Sequence, residues 1–102
     1  MDKLELQERM TSFAVRIISM VDALPTSLGA QTIARQVVRS GTSPSANYRA
    51  ACLAKSDKDF LNKLKMVEEE LDETCHWLDL IMRCQMLNTS RIEPLYKNVK
   101  NC

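Results

Sequence analysis

The sequence predicts an all-α fold, an up-and-down four-helix bundle with a kinked or broken second helix, and three observations carry that expectation. The chain has 102 residues, the size of one domain and too short for two, so residues 1–102 are expected to form a single four-helix-bundle domain. Two Gly and three Pro are too few to turn the many short strands of a sandwich or barrel. Apolar residues recur at steps of three and four over long stretches, the period of helices that bury one face. A composition 45% hydrophobic and 26% charged is that of a soluble globular chain and excludes disorder or a fibrous repeat.

The first helix is expected from about Lys3 to Leu24, with Met10, Phe13, Ala14, Ile17, Ile18, Val21 and Leu24 along one stripe. Pro25 removes a backbone donor and biases Leu24 away from helical angles, and Thr26 and Ser27 offer caps for the next helix. The second begins near Leu28 and turns Ile33, Ala34, Val37 and Val38 inward. At Ser40-Gly41-Thr42-Ser43-Pro44 it is expected to end or kink: Gly41 suits the left-handed position past a helix end, Ser43 an N-cap, and Pro44 the first turn of a helix resuming through Ala54.

The third helix has the clearest pattern. From Ser56 or Asp57 it carries Phe60, Leu64, Val67, Leu71, Cys75, Leu78 and Met82 on one face, widened by Leu61, Trp77, Leu80, Cys84 and Leu87. So broad an apolar arc belongs either at the centre of a bundle or partly to another subunit. Asn88, Thr89 and Ser90 supply the next turn and cap, and a short last helix points Ile92, Leu95, Tyr96 and Val99 inward.

Charges nearly cancel, 14 basic against 13 acidic, which is not the positive excess of a dedicated high-affinity nucleic-acid binder. They are segregated along the chain, however. Arg35, Arg39, Arg49, Lys55, Lys58, Lys63 and Lys65 meet only Asp57 and Asp59, and the acidic run Glu68, Glu69, Glu70, Asp72, Glu73 and Asp79 follows. Four cysteines form no CxxC pair, and His76 is the single histidine, so no zinc-ligand pattern is present. Neither a secretion signal nor a membrane span is visible, which leads to the expectation of a cytoplasmic protein with reduced thiols and no membrane partner.

The stretch Arg39-Ser40-Gly41-Thr42-Ser43-Pro44-Ser45-Ala46-Asn47-Tyr48-Arg49-Ala50, then Ser56, Asp59-Phe60, Lys63-Leu64, Asp72-Glu73-Thr74 and Trp77-Leu78, resembles the bacterial four-helix-bundle proteins related to large-subunit (23S) rRNA intervening-sequence proteins. The resemblance runs from the first helix to about Leu87 and contains no catalytic signature. It implies an up-and-down bundle assembled as a ring-shaped homopentamer. Some relatives lie within rRNA intervening sequences, and a distant branch, the retroelement accessory variability proteins, binds nucleic acid and a reverse transcriptase. Two features depart from the pattern: Ala50 stands where an acidic residue is common, and the near-neutral charge differs from the strongly basic retroelement branch.

Several side-chain groups are candidate sites. Arg39, Asn47 and Arg49 can face Glu70 and Glu73 across the bundle, and the expectation is a structural polar network, the alternative being an anion pocket at the Gly41 kink. Arg35, Lys55, Lys58, Lys63 and Lys65 are the candidate nucleic-acid contacts, weighed against an ordinary solvated face. Tyr48 and Trp77 are expected to pack rather than stack on bases. Glu73 and His76 make one Glu-x-x-His pair, half of what a di-metal carboxylate bundle needs, so no metal is expected. Cys75 and His76 are neighbours about 100° apart on a helix and cannot pair as nucleophile and base. Cys75 is expected as a small core hydrophobe and Cys102 as the most accessible thiol.

These readings converge on a non-enzymatic homo-oligomer without a cofactor, a pentamer if the resemblance holds. It would act as a scaffold or binding protein for RNA or a nucleic-acid-processing protein. The alternative is a protein-interaction ring with no nucleic-acid role, and a carboxylate metal-site protein ranks below both.

Overall fold

Asp2 opens the fold by capping the first helix: its carboxylate accepts the Glu5 amide at 2.8 Å, satisfying one of the donors every helix start leaves over. The computed structural model describes residues 2–100, apart from the side chain of Lys100. Helix α1 (Lys3–Asp22) ends as Pro25 requires, with the Ala23 and Leu24 amides closing on the Met20 and Val21 carbonyls. Ser27 caps α2 (Leu28–Cys52) by accepting the Ala30 amide at 3.3 Å. Ser56 does the same for α3 (Asp57–Arg83) through the Asp59 amide at 3.1 Å. Helix α4 (Thr89–Lys100) completes the chain.

Of the end or kink expected at Gly41–Pro44, the end is absent: α2 runs through to Cys52 with Pro44 inside it. Gly41 does not take the left-handed conformation, and its small size serves packing instead. A Cβ there would lie 2.9 Å from both Cγ1 and Cγ2 of Ile17, so α1 and α2 approach as closely as they do because position 41 has no side chain. The Ser43 hydroxyl, expected as a cap, bonds within the helix, as do those of Thr42 and Ser45. Thr42 donates to the Val38 carbonyl at 2.6 Å, Ser43 to Arg39 at 2.7 Å and Ser45 to Thr42 at 2.7 Å.

Each helix packs on its neighbour in the chain, and α4 closes the circle against α1; among the described residues the diagonal pairs do not come into backbone contact. The molecule measures 44 × 24 × 18 Å, its long dimension matching the 27 residues of α3 at about 1.5 Å per residue. Because α4 has only 12 residues, one end of the bundle has four helices and the other three. The core divides accordingly. Ile17, Val37, Leu78, Ile81, Ile92 and Leu95 fill the four-helix end, and Met10, Tyr48 and Val67 fill the three-helix end with Leu6, Leu64 and Leu71 beside them. A polar link crosses between α2 and α3, where the Ser40 and Thr74 hydroxyls share a hydrogen bond of 2.9 Å in full burial.

The third helix buries its expected stripe in part: Val67, Cys75 and Leu78 are inside, and Phe60, Leu64, Leu71 and Met82 are half-buried. Of the second stripe, Trp77, Leu80 and Leu87 are half-buried, while Leu61 and Cys84 are exposed. The turn after α3 holds Gln85 at φ 55°, with Gln85 N–H on the Met82 carbonyl and Met86 N–H on the Ile81 carbonyl, a Schellman closure made without glycine. No helix among the described residues is long and apolar enough to cross a membrane.

Candidate nucleic-acid interface

The basic residues singled out in the sequence do not form one surface. Lys55 in the α2–α3 turn and Lys58 and Lys65 on α3 are exposed near the three-helix end. Lys58 and Lys65, seven positions apart, share a helix face. Lys63 lies on another flank, half-buried, its Nζ 3.9 Å from the Asp59 carboxylate four residues earlier. Arg35 is exposed on α2, but the 17 positions separating it from Cys52 place it about 25 Å from that end at 1.5 Å per residue. The five-residue basic face therefore contracts to Lys55, Lys58 and Lys65.

A residue the sequence pattern did not single out joins this end. Lys3 of α1 holds its ammonium 5.7 Å from the centroid of the Phe60 ring, a cation–π contact. Lys3, Cys52, Lys55, Ser56, Asp57 and Phe60 line an open cleft of about 350 Å³. Asp57 and Asp59 sit in the first turn of α3, where the helix dipole favours them, and they dilute the positive charge of the lysines. The phenol of Tyr48, deeper in the same end, has its pKa raised by burial first and by a hydrogen bond with Cys52 second.

The expected polar network exists in reduced form. Arg39 forks between Glu70, at 3.0 Å, and Glu73, and also donates to the Gln36 side chain at 3.3 Å. Glu73 in turn accepts the Trp77 indole N–H at 3.3 Å, which orients the ring along the α2–α3 seam. Asn47 and Arg49 take no part among the described residues: they lie eight and ten positions along α2 from Arg39, beyond the reach of the same carboxylates. The anion pocket at Gly41 falls with the helix break, because the amides there are inside a continuous helix.

Glu73 is committed to Arg39 and Trp77, and His76 is exposed with its ring edge-on to Trp77, centroids 4.9 Å apart. Among the described residues no three His, Cys, Asp or Glu side chains gather closely enough to share a metal ion. Cys75 is buried beside the core, as expected for a small hydrophobe. Cys102 lies outside the described residues.

The outside of α1 departs from expectation. Leu4, Val15 and Ile18 are 76%, 60% and 47% exposed, although the pattern put Ile18 inside. With Thr11 they follow steps of seven, four and three, a spacing along which one helix can pair with another.

Comparison with known proteins agrees with this architecture. A crystal structure of a protein of unknown function from the S23 ribosomal protein family of Bacteroides thetaiotaomicron superposes with a TM-score of 0.86 at 33% identity, covering 93% of this chain and 88% of that one. No curated protein matches the sequence. The family model described as 23S rRNA-intervening sequence protein matches residues 2–102. Matched in sequence over nearly its whole length and in fold to a solved relative, the chain belongs to the 23S rRNA-intervening sequence protein family.

Proposed function

We propose that this protein is a non-enzymatic, self-associating scaffold, a ring of five as the family resemblance implies, whose assembled surface binds RNA or a protein that processes it. The observation that carries self-association is the outer stripe of α1, where Leu4, Val15 and Ile18 are presented to solvent at helix-pairing spacing. The RNA half of the reading is supported by the family's link to 23S rRNA and by the exposed Lys55, Lys58 and Lys65 at the three-helix end. A net charge of +1 gives one protomer little affinity for phosphates, so repetition around a ring would supply binding through avidity. The same near-neutrality favours the second reading, a ring that binds only protein.

The test is a titration of nuclease-treated protein against fluorescent structured RNA at low and near-physiological salt, with assembly mass measured on the same sample. The proposal expects an oligomer and RNA binding that weakens steeply with salt. Val15→Glu with Ile18→Glu should dissociate the assembly, and Lys58→Glu with Lys65→Glu should weaken RNA binding without unfolding. An oligomer without RNA binding at low salt supports the protein-only ring; a monomer that still binds RNA overturns the scaffold.

A further inference from the structure

Two arginines from opposite ends of the sequence line the cleft between α1 and α4, and among the described residues no carboxylate lines it with them. Arg16 and Ser19 of α1 face Ser90 and Arg91 of α4 across a space of about 260 Å³ floored by Met20 and Leu95. Arg91 spans the cleft: its Nη2 lies 3.4 Å from the Ser19 carbonyl oxygen and 3.5 Å from the Ser19 hydroxyl. These long bonds hold the guanidinium over α1 and leave Nε and Nη1 free to bond a ligand.

Among the described residues no carboxylate lines this cleft, whereas Asp57 lines the one at the α2–α3 turn. Lys63, Arg83 and Lys97 each meet an acid four positions earlier, and Arg39 takes two from α3. The helix neighbours three and four positions from Arg16 are Ser12, Phe13, Ser19 and Met20, and those of Arg91 are Leu87, Asn88, Pro94 and Leu95. Glu93, the nearest acid to Arg91 on α4, is held by Lys97 at 3.0 Å. Among the described residues neither arginine forms an ion pair.

We propose that this cleft is a phosphate-binding site. Two guanidinium groups with donors to spare match the oxygens of a phosphate in the bidentate geometry that lysines cannot offer. Ser19 and Ser90 add hydroxyls, and the first turn of α4 contributes a partial positive charge. The donors suit an RNA backbone phosphate and inorganic phosphate alike. As an RNA contact the site rests on the reading above and moves the principal phosphate contact from the lysine-bearing end, where Asp57 and Asp59 compete, to the acid-free α1–α4 cleft.

The test titrates the full chain with a fluorescent single-stranded RNA oligonucleotide and, by calorimetry, with inorganic phosphate, using wild type, Arg16→Gln, Arg91→Gln and Arg91→Lys. Each Gln variant should weaken RNA binding about five-fold at near-physiological salt and lower the salt slope by about one, with Arg91→Lys intermediate. Arg16 makes no hydrogen bond to the described residues, so Arg16→Gln should keep the wild-type melting temperature and remains informative if Arg91→Gln is unstable. RNA bound equally by wild type and both Gln variants would overturn the cleft and leave the RNA reading standing. Phosphate bound through the arginines without RNA upholds the cleft and overturns the RNA reading. Binding of neither overturns both.

Discussion

Ser40 on α2 and Thr74 on α3 hold their hydroxyl oxygens 2.9 Å apart with both side chains fully buried, a polar link inside an apolar seam. Thr74 is also 2.8 Å from the Glu70 carbonyl, whereas the second contact of Ser40, to the Val37 carbonyl, stretches to 3.5 Å. The two partners therefore depend on the link unequally. Thr74→Val strands Ser40 and should cost about 2 kcal/mol, Ser40→Ala leaves Thr74 bonded and should cost about 1 kcal/mol, and the double variant should recover part of the loss because no unpaired group remains. Urea unfolding of the four proteins as a double-mutant cycle measures the coupling; additive losses would show that the hydroxyls act independently.

The two glycines should respond oppositely to the same substitution. Gly29→Ala, near the start of α2 with nothing within 4 Å of the new methyl, should stabilise by about 0.5 kcal/mol through helix propensity and a stiffer unfolded chain. Gly41→Ala places its methyl 2.9 Å from two carbons of Ile17 and should destabilise by about 1–2 kcal/mol despite the same propensity gain. Thermal melts in parallel decide the matter, and a gain at both positions would mean that α1 retreats from α2 without cost.

Gln85 adopts φ 55° to close α3, a conformation that costs a residue with a Cβ about 1 kcal/mol. Gln85→Gly removes that cost while keeping the backbone bonds to Met82 and Ile81, so the midpoint of urea unfolding should rise with an unchanged slope.

Tyr48 gives the alkaline limb of stability a specific origin. Its folded-state pKa is raised above the unfolded value near 10, mainly by burial, so its contribution is complete below pH 10 and is lost as pH rises toward the folded value. Urea midpoints between pH 8 and pH 11 should fall more steeply for wild type than for Tyr48→Phe, which has no proton to lose. Parallel curves would place the alkaline loss on other groups.

What the sequence revealed and concealed divides along local and tertiary lines. The starts of α2 and α3 were legible because Ser27 and Ser56 cap through their own backbone neighbours, and the core stripe of α3 because its spacing is an internal property. Gly41 and Pro44 misled because they punctuate locally, whereas here packing on Ile17 and the back-bonding hydroxyls of Thr42, Ser43 and Ser45 decide. Arg39 with Glu70 and Glu73 could be anticipated from opposite charges on adjacent helices. Asn47 and Arg49 could not be excluded without the rise along α2. The Arg16–Arg91 pairing left no trace in the sequence, since only the return of α4 onto α1 brings together residues 75 positions apart.

The mismatch between a 12-residue α4 and a 27-residue α3 makes the bundle unevenly cooperative. Where four helices meet, opening an amide beside the buried Ile17, Val37, Leu78 or Ile81 requires disrupting a core walled on every side, so exchange with solvent deuterium there should follow global unfolding. Where α1, α2 and α3 meet alone, Cys52 and Leu64 are only half-covered, and that end should open at lower free energy. The α2–α3 turn, with Lys55 and Lys58, should thus loosen before the core around Ile17, Leu78 and Ile92 and can adapt to a bound surface without disturbing it.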